Sequence, residues 1–436
     1  MGVLLGIYFL IFSVLAWKRF SAAIALFIIL LPTYLIRFEL VRIGKYPFPS
    51  TMLEVMFGVI ILVWIIRYSR IDIVRIKNFF APHKWFVIAF GLFFASSVVS
   101  IFVSDMVFFS LGEWRAYFLE PMILFLILIG RWEMFVSADL PFFLTLSTLG
   151  VTVYAIIQKF TGIGIATPEW TNEATRRVTA FFTSPNAVGL YVAPVCMLAV
   201  AVVLKRVMQV ARKGETIKNL LAEPVLVSSL FALICAVIAL FFTKSQGAWI
   251  GVGAGLLVFI FLTGYKKIAM ALAVAGMIFT LITPSMRQAV LFQDQANQNR
   301  LRLWGYSWTF LDASPKNFVL GTGVRQFFRK IQKPYYDVRV MERLIYPHNI
   351  FLNFWTEIGL VGMLAVLAII GQATVFAWRI RQNDMVLGSG FMAMLVTLVV
   401  HGLVDVPYFK NDLAFLFWIL IASIFIAYAH TNKSKA

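Results

Sequence analysis

The residues best suited to chemistry in this sequence are Tyr346-Pro347-His348-Asn349, where a polar segment meets an apolar one. Residues 293–347 are rich in Arg, Lys, Asn and Gln, whereas residues 350–376 are almost wholly apolar. The chain has four histidines, and a neutral imidazole at such a border could accept a proton from a hydroxyl group. His348 is therefore the candidate general base, and a histidine that only begins a helix is the alternative.

Two pairs of arginines could hold an anionic group. Arg176 and Arg177 lie in a predicted loop over residues 161–184, shortly before Asn186, and Arg300 and Arg302 begin an amphipathic segment of a longer loop. A guanidinium binds diphosphate oxygens in a bidentate manner and stays charged at any relevant pH. The two pairs could hold a diphosphate leaving group and stabilise its developing charge. Contacts with lipid phosphates are the alternative.

The composition indicates that most of the chain lies in a membrane. The 436 residues are 61% hydrophobic and 13% charged, whereas a soluble domain carries about 25% charged residues. Apolar stretches of transmembrane length recur throughout. The sequence predicts an all-α polytopic membrane protein with about 12–13 transmembrane helices and a single membrane domain over residues 1–436. Residues 1–17 are expected to form a first span rather than a signal peptide.

The charges of the loops predict the orientation of the spans. The predicted spans are 2–16, 20–36, 51–66, 84–104, 113–130, 140–160, 185–204, 224–243, 246–263, 267–283, 350–378, 385–404 and 411–430. The basic loops, among them 67–84 and 205–218 and a tail with Lys433 and Lys435, fall on one side, which is predicted to be cytoplasmic. The formal charge of +18 fits such loops facing anionic lipid, and nucleic acid is not an expected partner.

This orientation places residues 161–184 and a long loop over residues 284–347 outside the membrane. The long loop carries ten Arg and Lys residues, for which an anionic ligand would account. Spacing of apolar residues predicts short helices in this loop, including one over residues 300–311. No metal-binding or nucleotide-binding motif is found, and no metal or other cofactor is expected.

Other polar residues and glycines have structural interpretations. His401 and Asp405 are four residues apart and are predicted to form a structural pair on one helix face. With Arg115 and Glu120 they also motivate the alternative of a small-anion transporter or a flippase for lipid-linked glycans. Gly247, Gly251 and Gly255 recur every four residues in one predicted span, which indicates close helix packing. Gly321 and Gly323, in the long loop, indicate a tight turn.

Three motifs, in order, resemble those of the O-antigen ligase family, which also includes O-antigen polymerases and some oligosaccharyltransferases. His348-Asn349, Gly359 and Gly362 match a His-Asn, nine-residue, Gly, two-residue, Gly pattern. Residues 177–186 resemble an Arg-x-x-Gly-x-Phe-x-x-Pro-Asn segment, and residues 300–304 resemble an Arg-x-x-x-Trp segment followed by Gly-x-Gly. The resemblance covers residues 113–430.

The resemblance implies a membrane glycosyltransferase of the C-type superfamily in the bacterial cytoplasmic membrane, with its active site on the periplasmic face. The implied donor is a glycan on undecaprenyl diphosphate, and the implied acceptor is a hydroxyl of the lipid A core or of another glycan. Arg177 and Arg300 would bind the diphosphate, with Arg176 and Arg302 as neighbouring candidates. His348 would activate the acceptor. The reaction would be inverting and independent of metal.

Asn349, Asn186, Gly359 and Gly362 would have supporting roles under this resemblance. Two positions depart from the family pattern: Ala180 replaces the usual glycine, and Gln246 replaces an arginine that follows a serine in many members. The choice between ligase, polymerase and transfer to protein stays open, with the His-Asn pattern favouring ligase. A transporter or flippase, and a non-catalytic scaffold of an envelope complex, are alternatives of other classes.

Overall fold

We analysed a computed structural model that describes residues 2–43, 46–212, 223–338 and 342–433. Parts of the predicted basic loop (213–218), of the long outer loop (339–341) and Lys435 of the tail lie outside these ranges. Helices α1 to α9 are Gly2–Lys18, Phe20–Ile29, Met52–Arg67, Ser69–Phe80, Lys84–Val103, Val107–Trp114, Glu120–Gly130, Asp139–Thr161 and Pro185–Arg212. Helices α10 to α18 are Pro224–Thr243, Gln246–Leu262, Lys266–Ile282, Pro284–Val290, Gln295–Asp312, Pro315–Leu320, Ile350–Arg381, Met385–Gly402 and Asn411–Lys433.

Two short strands form the described β-structure. Strands β1 (Arg37–Ile43) and β2 (Tyr46–Thr51) pair in antiparallel register, with Arg37 opposite Thr51. The sequence analysis did not predict this hairpin. Thr51 also begins α3, because its hydroxyl accepts from the Glu54 amide while the Glu54 carboxylate accepts from the Thr51 amide.

The prediction of an all-α polytopic membrane protein is confirmed. Among the described residues, seven helices are long and apolar enough to cross a membrane, namely α5, α8, α9, α10, α16, α17 and α18. The number rises to nine if each of two bent helix pairs is one span: α3 with α4, bent by 93°, and residues 266–282 with 284–312, bent by 102°. Helices α1, α2 and α11 are apolar but shorter. The predicted total of 12–13 spans counted these short helices.

Two predicted spans are not single long helices. The predicted span over residues 20–36 ends as an α-helix at Ile29, because Pro32 follows in a 3₁₀ turn over Leu31–Leu35. The predicted span over residues 113–130 contains the π-helix Arg115–Leu119 before the eleven-residue helix α7. The predicted short helices of the outer loop are confirmed by α13, α14 and α15, and α14 includes the predicted helix over residues 300–311.

The described residues form two compact units. The first is drawn from Met1–Pro82, Glu120–Ser245 and Lys410–Ala436. Its core surrounds α18, whose residues 411–428 are all buried. Aromatic pairs tie α18 to α2 and α7: the Phe27 and Phe415 rings lie 5.2 Å apart, and those of Phe125 and Trp418 lie 5.1 Å apart.

The second unit is drawn from His83–Leu119 and Gln246–Phe409 and contains the long loop. Its helices α11 and α17 pack closely, as the glycine spacing predicted. A Cβ atom on Gly247 would lie 3.0 Å from the His401 ring, and one on Gly251 would lie 3.0 Å from the Thr397 carbonyl oxygen. These glycines therefore fix the position of the helix that ends shortly before Asp405.

Candidate functional site

The residue after His348 begins helix α16, as the sequence predicted. The side chain of Asn349 accepts hydrogen bonds from the amides of Phe351 (3.1 Å) and Leu352 (3.0 Å), which makes it the N-cap. Just before it, the Trp304 indole of α14 donates to the Pro347 carbonyl at 2.9 Å. His348 is thus held between two fixed points of the backbone.

His348 itself has a left-handed backbone conformation, with φ of 54°. This region is unfavourable for residues other than glycine, and such strain persists only where the surroundings impose it. Here the Trp304 hydrogen bond on one side and the helix cap on the other impose it. The conformation directs the imidazole towards Asp405 instead of along the helix.

The imidazole of His348 is hydrogen-bonded to Asp405. His348 Nδ1 and Asp405 Oδ1 lie 3.2 Å apart, and the same oxygen accepts from the Val406 amide at 2.9 Å. His401 and Asp405 do interact electrostatically, but the prediction that they share one helix face is wrong: α17 ends at Gly402, so Asp405 lies beyond the helix and turns to His348. Sequence analysis missed Asp405 as a site residue; its position at a predicted outer helix end was the available signal.

The environment of Asp405 keeps its carboxyl group ionised. Burial alone would raise its pKa, but the charges of His348, His401 and Arg300 and the hydrogen bond from His348 lower the pKa below its ordinary value. An ionised carboxylate only accepts hydrogen bonds, so Nδ1 of His348 carries the hydrogen. In the neutral imidazole the lone pair is then on Nε2, which is the atom able to take up a proton.

Two contacts bring the start of α16 to the end of α17. The Asn349 side-chain amide donates to the Leu403 carbonyl at 3.1 Å. Gly402 allows the close approach, because a Cβ atom there would lie 2.8 Å from the Ile350 side chain. The asparagine of the His-Asn motif therefore caps one helix and joins it to the other, which sets the separation of His348 from Asp405.

Arg300 is the arginine of its pair that faces this site. It is half-buried on α14, and its charge acts on both Asp405 and His401. Its Nη1 donates to Asn297 at 2.7 Å, whereas its buried Nε has no hydrogen-bond partner within the described ranges. Arg302, two residues on, points elsewhere on the helix and is exposed.

Asn297, one turn earlier on the same helix, holds the guanidinium of Arg300 in position. The Asn297 side-chain amide is buried and donates to the Ala289 carbonyl (2.9 Å) and to Asp294 (2.7 Å). Asp294 is in turn the N-cap of α14. The guanidinium is therefore positioned by an ordered set of hydrogen bonds, while its buried Nε–H has no hydrogen-bond partner within the described residues.

Tyr346 completes this group of side chains. Its ring meets the His348 ring edge-to-face, with centroids 5.0 Å apart. Burial and the carboxylates of Asp405 and Glu342 raise the pKa of its hydroxyl, so the group stays protonated and can donate. We call Tyr346, His348, Asn349, Arg300 and Asp405 the His348 cluster.

The two glycines of the same motif shape α16 behind the cluster. Gly359 has φ of 80° and interrupts the helix, and a Cβ atom there would collide with the Val319 carbonyl. The predicted turn at Gly321 lies against this break, since the Thr322 amide donates to the Thr356 carbonyl at 2.7 Å. Gly362 instead faces the Ile358 side chain of its own helix. Gly359 thus admits the end of the short helix α15 rather than another span.

In the first unit, Arg177 is surrounded by neutral oxygen atoms. Its Nε donates to the Thr243 carbonyl at 2.9 Å, and its Nη2 lies 3.4 Å from Asn186 Oδ1 and from the Lys244 carbonyl. Its guanidinium also lies 5.9 Å from the centre of the Trp170 ring. Burial lowers the pKa of Arg177, but an arginine stays charged at any relevant pH.

Arg176 is committed to the protein backbone. It is buried and donates to the carbonyls of Lys159 (2.8 Å) and Thr171 (3.1 Å), which closes the end of α8. A Cβ atom on Gly162, the left-handed residue that follows α8, would lie 3.1 Å from this guanidinium. The structure therefore distinguishes the two arginines: Arg176 stabilises a helix end, and Arg177 is the partly exposed one.

The loop after Arg177 turns at Ala180, the position where the family has glycine. Ala180 has φ of 48°, which explains the preference for glycine. Gln158 of α8, which is fully buried, accepts from the amides of Thr179 (2.7 Å) and Ala180 (2.9 Å) and holds the strained turn. Sequence analysis missed Gln158. We call Arg177, Asn186, Trp170, Ala180 and Gln158 the Arg177 cluster.

Gln246, a position that departs from the family pattern, lies close to Lys244, another residue with a left-handed backbone. Lys244 ends α10 in a left-handed conformation, with φ of 51°, and its side chain is exposed. Its carbonyl is one of the oxygens near Arg177. A lysine thus stands two residues before the position where many members of the family have arginine.

The structure brings together five predicted or newly found residues in each cluster. Within the described residues, no group of three or more His, Cys, Asp and Glu side chains is arranged to hold a metal ion. The chemistry available in the His348 cluster is proton transfer at Nε2 and anion binding at Arg300. The chemistry available in the Arg177 cluster is anion binding alone.

Comparison with known families agrees with the motifs. The model of a family described as O-Antigen ligase matches residues 231–367, a range that contains Arg300, His348, Asn349, Gly359 and Gly362. The Arg177 cluster precedes this range. A comparison with curated proteins gives no match to the chain. Over residues 231–367 the chain is therefore similar to the O-antigen ligase family.

Proposed function

We propose that the protein is a membrane glycosyltransferase of the O-antigen ligase type, acting in lipopolysaccharide biosynthesis. It would move a glycan from undecaprenyl diphosphate to a hydroxyl of the lipid A core at the periplasmic face of the bacterial cytoplasmic membrane. The observation that carries the proposal is the hydrogen bond between His348 and the ionised Asp405, beside an arginine with an unsatisfied N–H group, within the matched family domain.

The reaction would be a single displacement at the anomeric carbon. Nε2 of His348 takes the proton of the acceptor hydroxyl while the oxygen forms its bond to the anomeric carbon. The bond from that carbon to the phosphate oxygen breaks, and the diphosphate leaves with the electron pair. Attack opposite the leaving group inverts the configuration. Asp405 stabilises the imidazolium that forms and keeps Nδ1 protonated throughout.

The leaving diphosphate needs positive charge rather than a proton. Arg300 has a charge and a buried N–H without a partner in the described residues, and the described hydrogen-bond partners of Arg177 are neutral oxygens. Charge-assisted hydrogen bonds from guanidinium groups stabilise the negative charge that develops on such a leaving group. We propose that these arginines perform this task without a metal ion.

Reconstituted transfer tests the proposal. Purified protein in lipid nanodiscs would receive undecaprenyl-diphosphate glycan and lipid A core, and product would be followed by mass and by the anomeric configuration in NMR. His348→Asn is the sharpest variant, because asparagine tolerates the left-handed conformation but provides no general base. We expect its rate to fall by about 10²–10⁴-fold.

A matched histidine variant is available as a control. His83 lies at the start of α5, with its ring against Phe376, and belongs to neither cluster. We expect His83→Asn to retain the wild-type rate. Normal transfer by His348→Asn, or a product with retained configuration, would refute the mechanism.

A polymerase of the same family is the second candidate, because only the acceptor differs. Deletion of the gene followed by gel analysis of surface glycans separates the two. Long chains that accumulate on undecaprenyl diphosphate indicate a missing ligase, whereas single repeat units on the core indicate a missing polymerase. A transporter or flippase would instead give anion or lipid flux in liposomes that persists in Arg177→Gln and Arg300→Gln variants.

A further inference from the structure

The segment before His348 presents aromatic rings and arginine side by side. The Tyr306 and Tyr335 rings are stacked, with centroids 4.1 Å apart and an angle of 5° between the planes. The Phe328 and Tyr336 rings meet edge-to-face at 5.3 Å, and the Arg343 guanidinium lies 4.3 Å from the Phe328 ring centre. We call these five residues the aromatic–arginine surface.

A small core makes this surface rigid. Leu303, Phe327 and Ile331 are buried together, and Tyr306 packs against them. This packing joins α14 to the π-helix Phe327–Gln332. The rings are therefore held in place by the fold, although the Tyr335 side chain is 46% exposed.

Gln332 connects the aromatic–arginine surface to the segment that leads to His348. It is fully buried, and its side-chain amide donates to the Glu342 carbonyl at 2.7 Å while its oxygen accepts from the Leu344 amide at 2.8 Å. Arg343 stands between these two residues, so its backbone is fixed on both sides. The five Cα–Cα steps from Arg343 to His348 span at most about 18 Å.

The charge of this part of the loop is positive. Arg329, Lys333 and Arg343 are exposed there, and the acidic residues among the described positions 327–346 are Asp337 and Glu342. The Arg343 guanidinium rests on an aromatic ring, and within the described residues its N–H groups have no hydrogen-bond partner, so they could bind an anionic group in a bidentate manner. An exposed tyrosine ring such as that of Tyr335 offers apolar area for the C–H face of a sugar while its hydroxyl group stays in water.

We propose that the aromatic–arginine surface binds the acceptor, and that the acceptor is a glycan with an anionic group such as a phosphate. The inference rests on the proposed function. The acceptor hydroxyl must reach Nε2 of His348, so the rest of the acceptor lies along the protein segment that carries this base. Arg343 takes the anionic group, and Tyr335 packs against a sugar ring.

The experiment compares two acceptors in the reconstituted reaction. One is phosphorylated lipid A core, and the other is the same material after treatment with phosphatase. We expect Arg343→Gln to raise the KM for the phosphorylated acceptor about tenfold, with kcat and the KM for the donor unchanged. Removing the phosphate should raise the KM of the wild type similarly and leave that of Arg343→Gln unaltered.

Further variants keep the test decisive. Tyr335→Ser should raise the KM for both acceptors, and Tyr335→Phe should retain the wild-type KM because the ring remains. Lys316→Gln is the matched control, since Lys316 is an exposed cation on α15 outside the surface. If Arg343→Gln misfolds, Arg343→Lys replaces it, and the loss of bidentate binding should still raise the KM.

Two outcomes overturn the inference: an unchanged acceptor KM in Arg343→Gln, or a KM in that variant that depends on the phosphate as strongly as in the wild type. Binding of fluorescent lipid A core without donor separates this inference from the proposed function. A wild type that binds the acceptor through Arg343 but transfers no glycan would contradict the function and support the surface. A wild type that transfers glycan independently of Arg343 would do the reverse.

Discussion

The Arg177 cluster and the His348 cluster both contain a half-buried arginine and a residue with a left-handed backbone. They differ because a carboxylate belongs to the His348 cluster, whereas the residues that define the Arg177 cluster include none. Within the described residues, the side chain of Arg177 has neutral oxygens as its hydrogen-bond partners, those of Thr243, Lys244 and Asn186. The His348 cluster contains the ionised Asp405. A cluster of cations and carbonyls can only bind an anion, whereas one with a carboxylate and an imidazole can also move a proton.

The strained residues of the two clusters differ in the same way. Ala180 has a left-handed conformation with φ of 48°, and its methyl side chain has no chemistry to offer the cluster. His348 is left-handed at φ of 54° and directs its imidazole to Asp405. Strain in the first cluster serves the path of the backbone, and strain in the second serves the orientation of a side chain.

We expect the largest effect on the reaction rate from replacing Asp405, the carboxylate that distinguishes the two clusters. Asp405→Asn should lower kcat by about 10²–10⁴-fold, because an amide can favour the wrong tautomer of His348 and no longer stabilises an imidazolium. The measurement is the rate of glycan transfer at saturating donor and acceptor. Binding of the donor, which depends on the arginines, should change little by comparison.

Asp72→Asn is the matched control for that variant. Asp72 is also a fully buried aspartate, but it accepts from Trp64 at 2.9 Å and lies 3.4 Å from Arg131 Nη1. Its removal should lower thermal stability, by about 3–5 kcal/mol for a broken buried pair, and leave kcat of the folded protein unchanged. A normal kcat in Asp405→Asn would show that Asp405, like Asp72, is structural.

Sequence analysis predicted the local parts of these clusters and missed the distant ones. Pro347 and Asn349 correctly predicted where α16 begins, because caps depend on neighbouring residues. The partner of His348 lies 57 positions away, and no local spacing identifies it. His401 and Asp405 interact, but their predicted placement on one helix face was wrong because apolar residues continue past Gly402, so the helix end was not recognised.

The fold shows the same division. The long apolar helices were predictable, since hydropathy over about 20 residues determines them. The break at Gly359 was not, because glycine is common within spans and only contact with Val319 requires one here. The distinction between Arg300 and Arg302 depends on which helix face is buried, and the sequence left both as candidates.

The second largest effect should separate the arginines of the His348 cluster. Arg300→Gln removes a charge that acts on Asp405, together with a buried N–H that has no partner within the described residues, and we expect kcat/KM for the donor to fall about 10–100-fold. Arg302→Gln removes an exposed charge and should stay within about twofold of the wild type. The measurement is transfer at varied concentrations of undecaprenyl-diphosphate glycan. Equal losses in the two variants would mean that only the overall charge of the loop matters.

The corresponding pair in the first unit should divide between binding and stability. Arg177→Gln is expected to raise the donor KM about tenfold, because it removes a cation available to the diphosphate. Arg176→Gln should instead lower the free energy of unfolding by about 1–3 kcal/mol, since the carbonyls of Lys159 and Thr171 lose their donor. Donor titrations and thermal unfolding in detergent measure the two effects. A stable Arg176→Gln protein with a raised donor KM would reverse the assignment.

The smallest expected effect concerns the backbone strain at Ala180, which orients no functional side chain. Ala180→Gly should relieve the left-handed conformation, which costs an L-residue about 1–2 kcal/mol, against about 0.5–1 kcal/mol of extra backbone entropy for glycine. We expect a small net gain in thermal stability. Ala201→Gly, inside helix α9, is the control and should destabilise by about 1 kcal/mol. If Ala180→Gly destabilised the protein as much, the hydrogen bonds that the Thr179 and Ala180 amides donate to Gln158 would already offset the cost of the left-handed conformation.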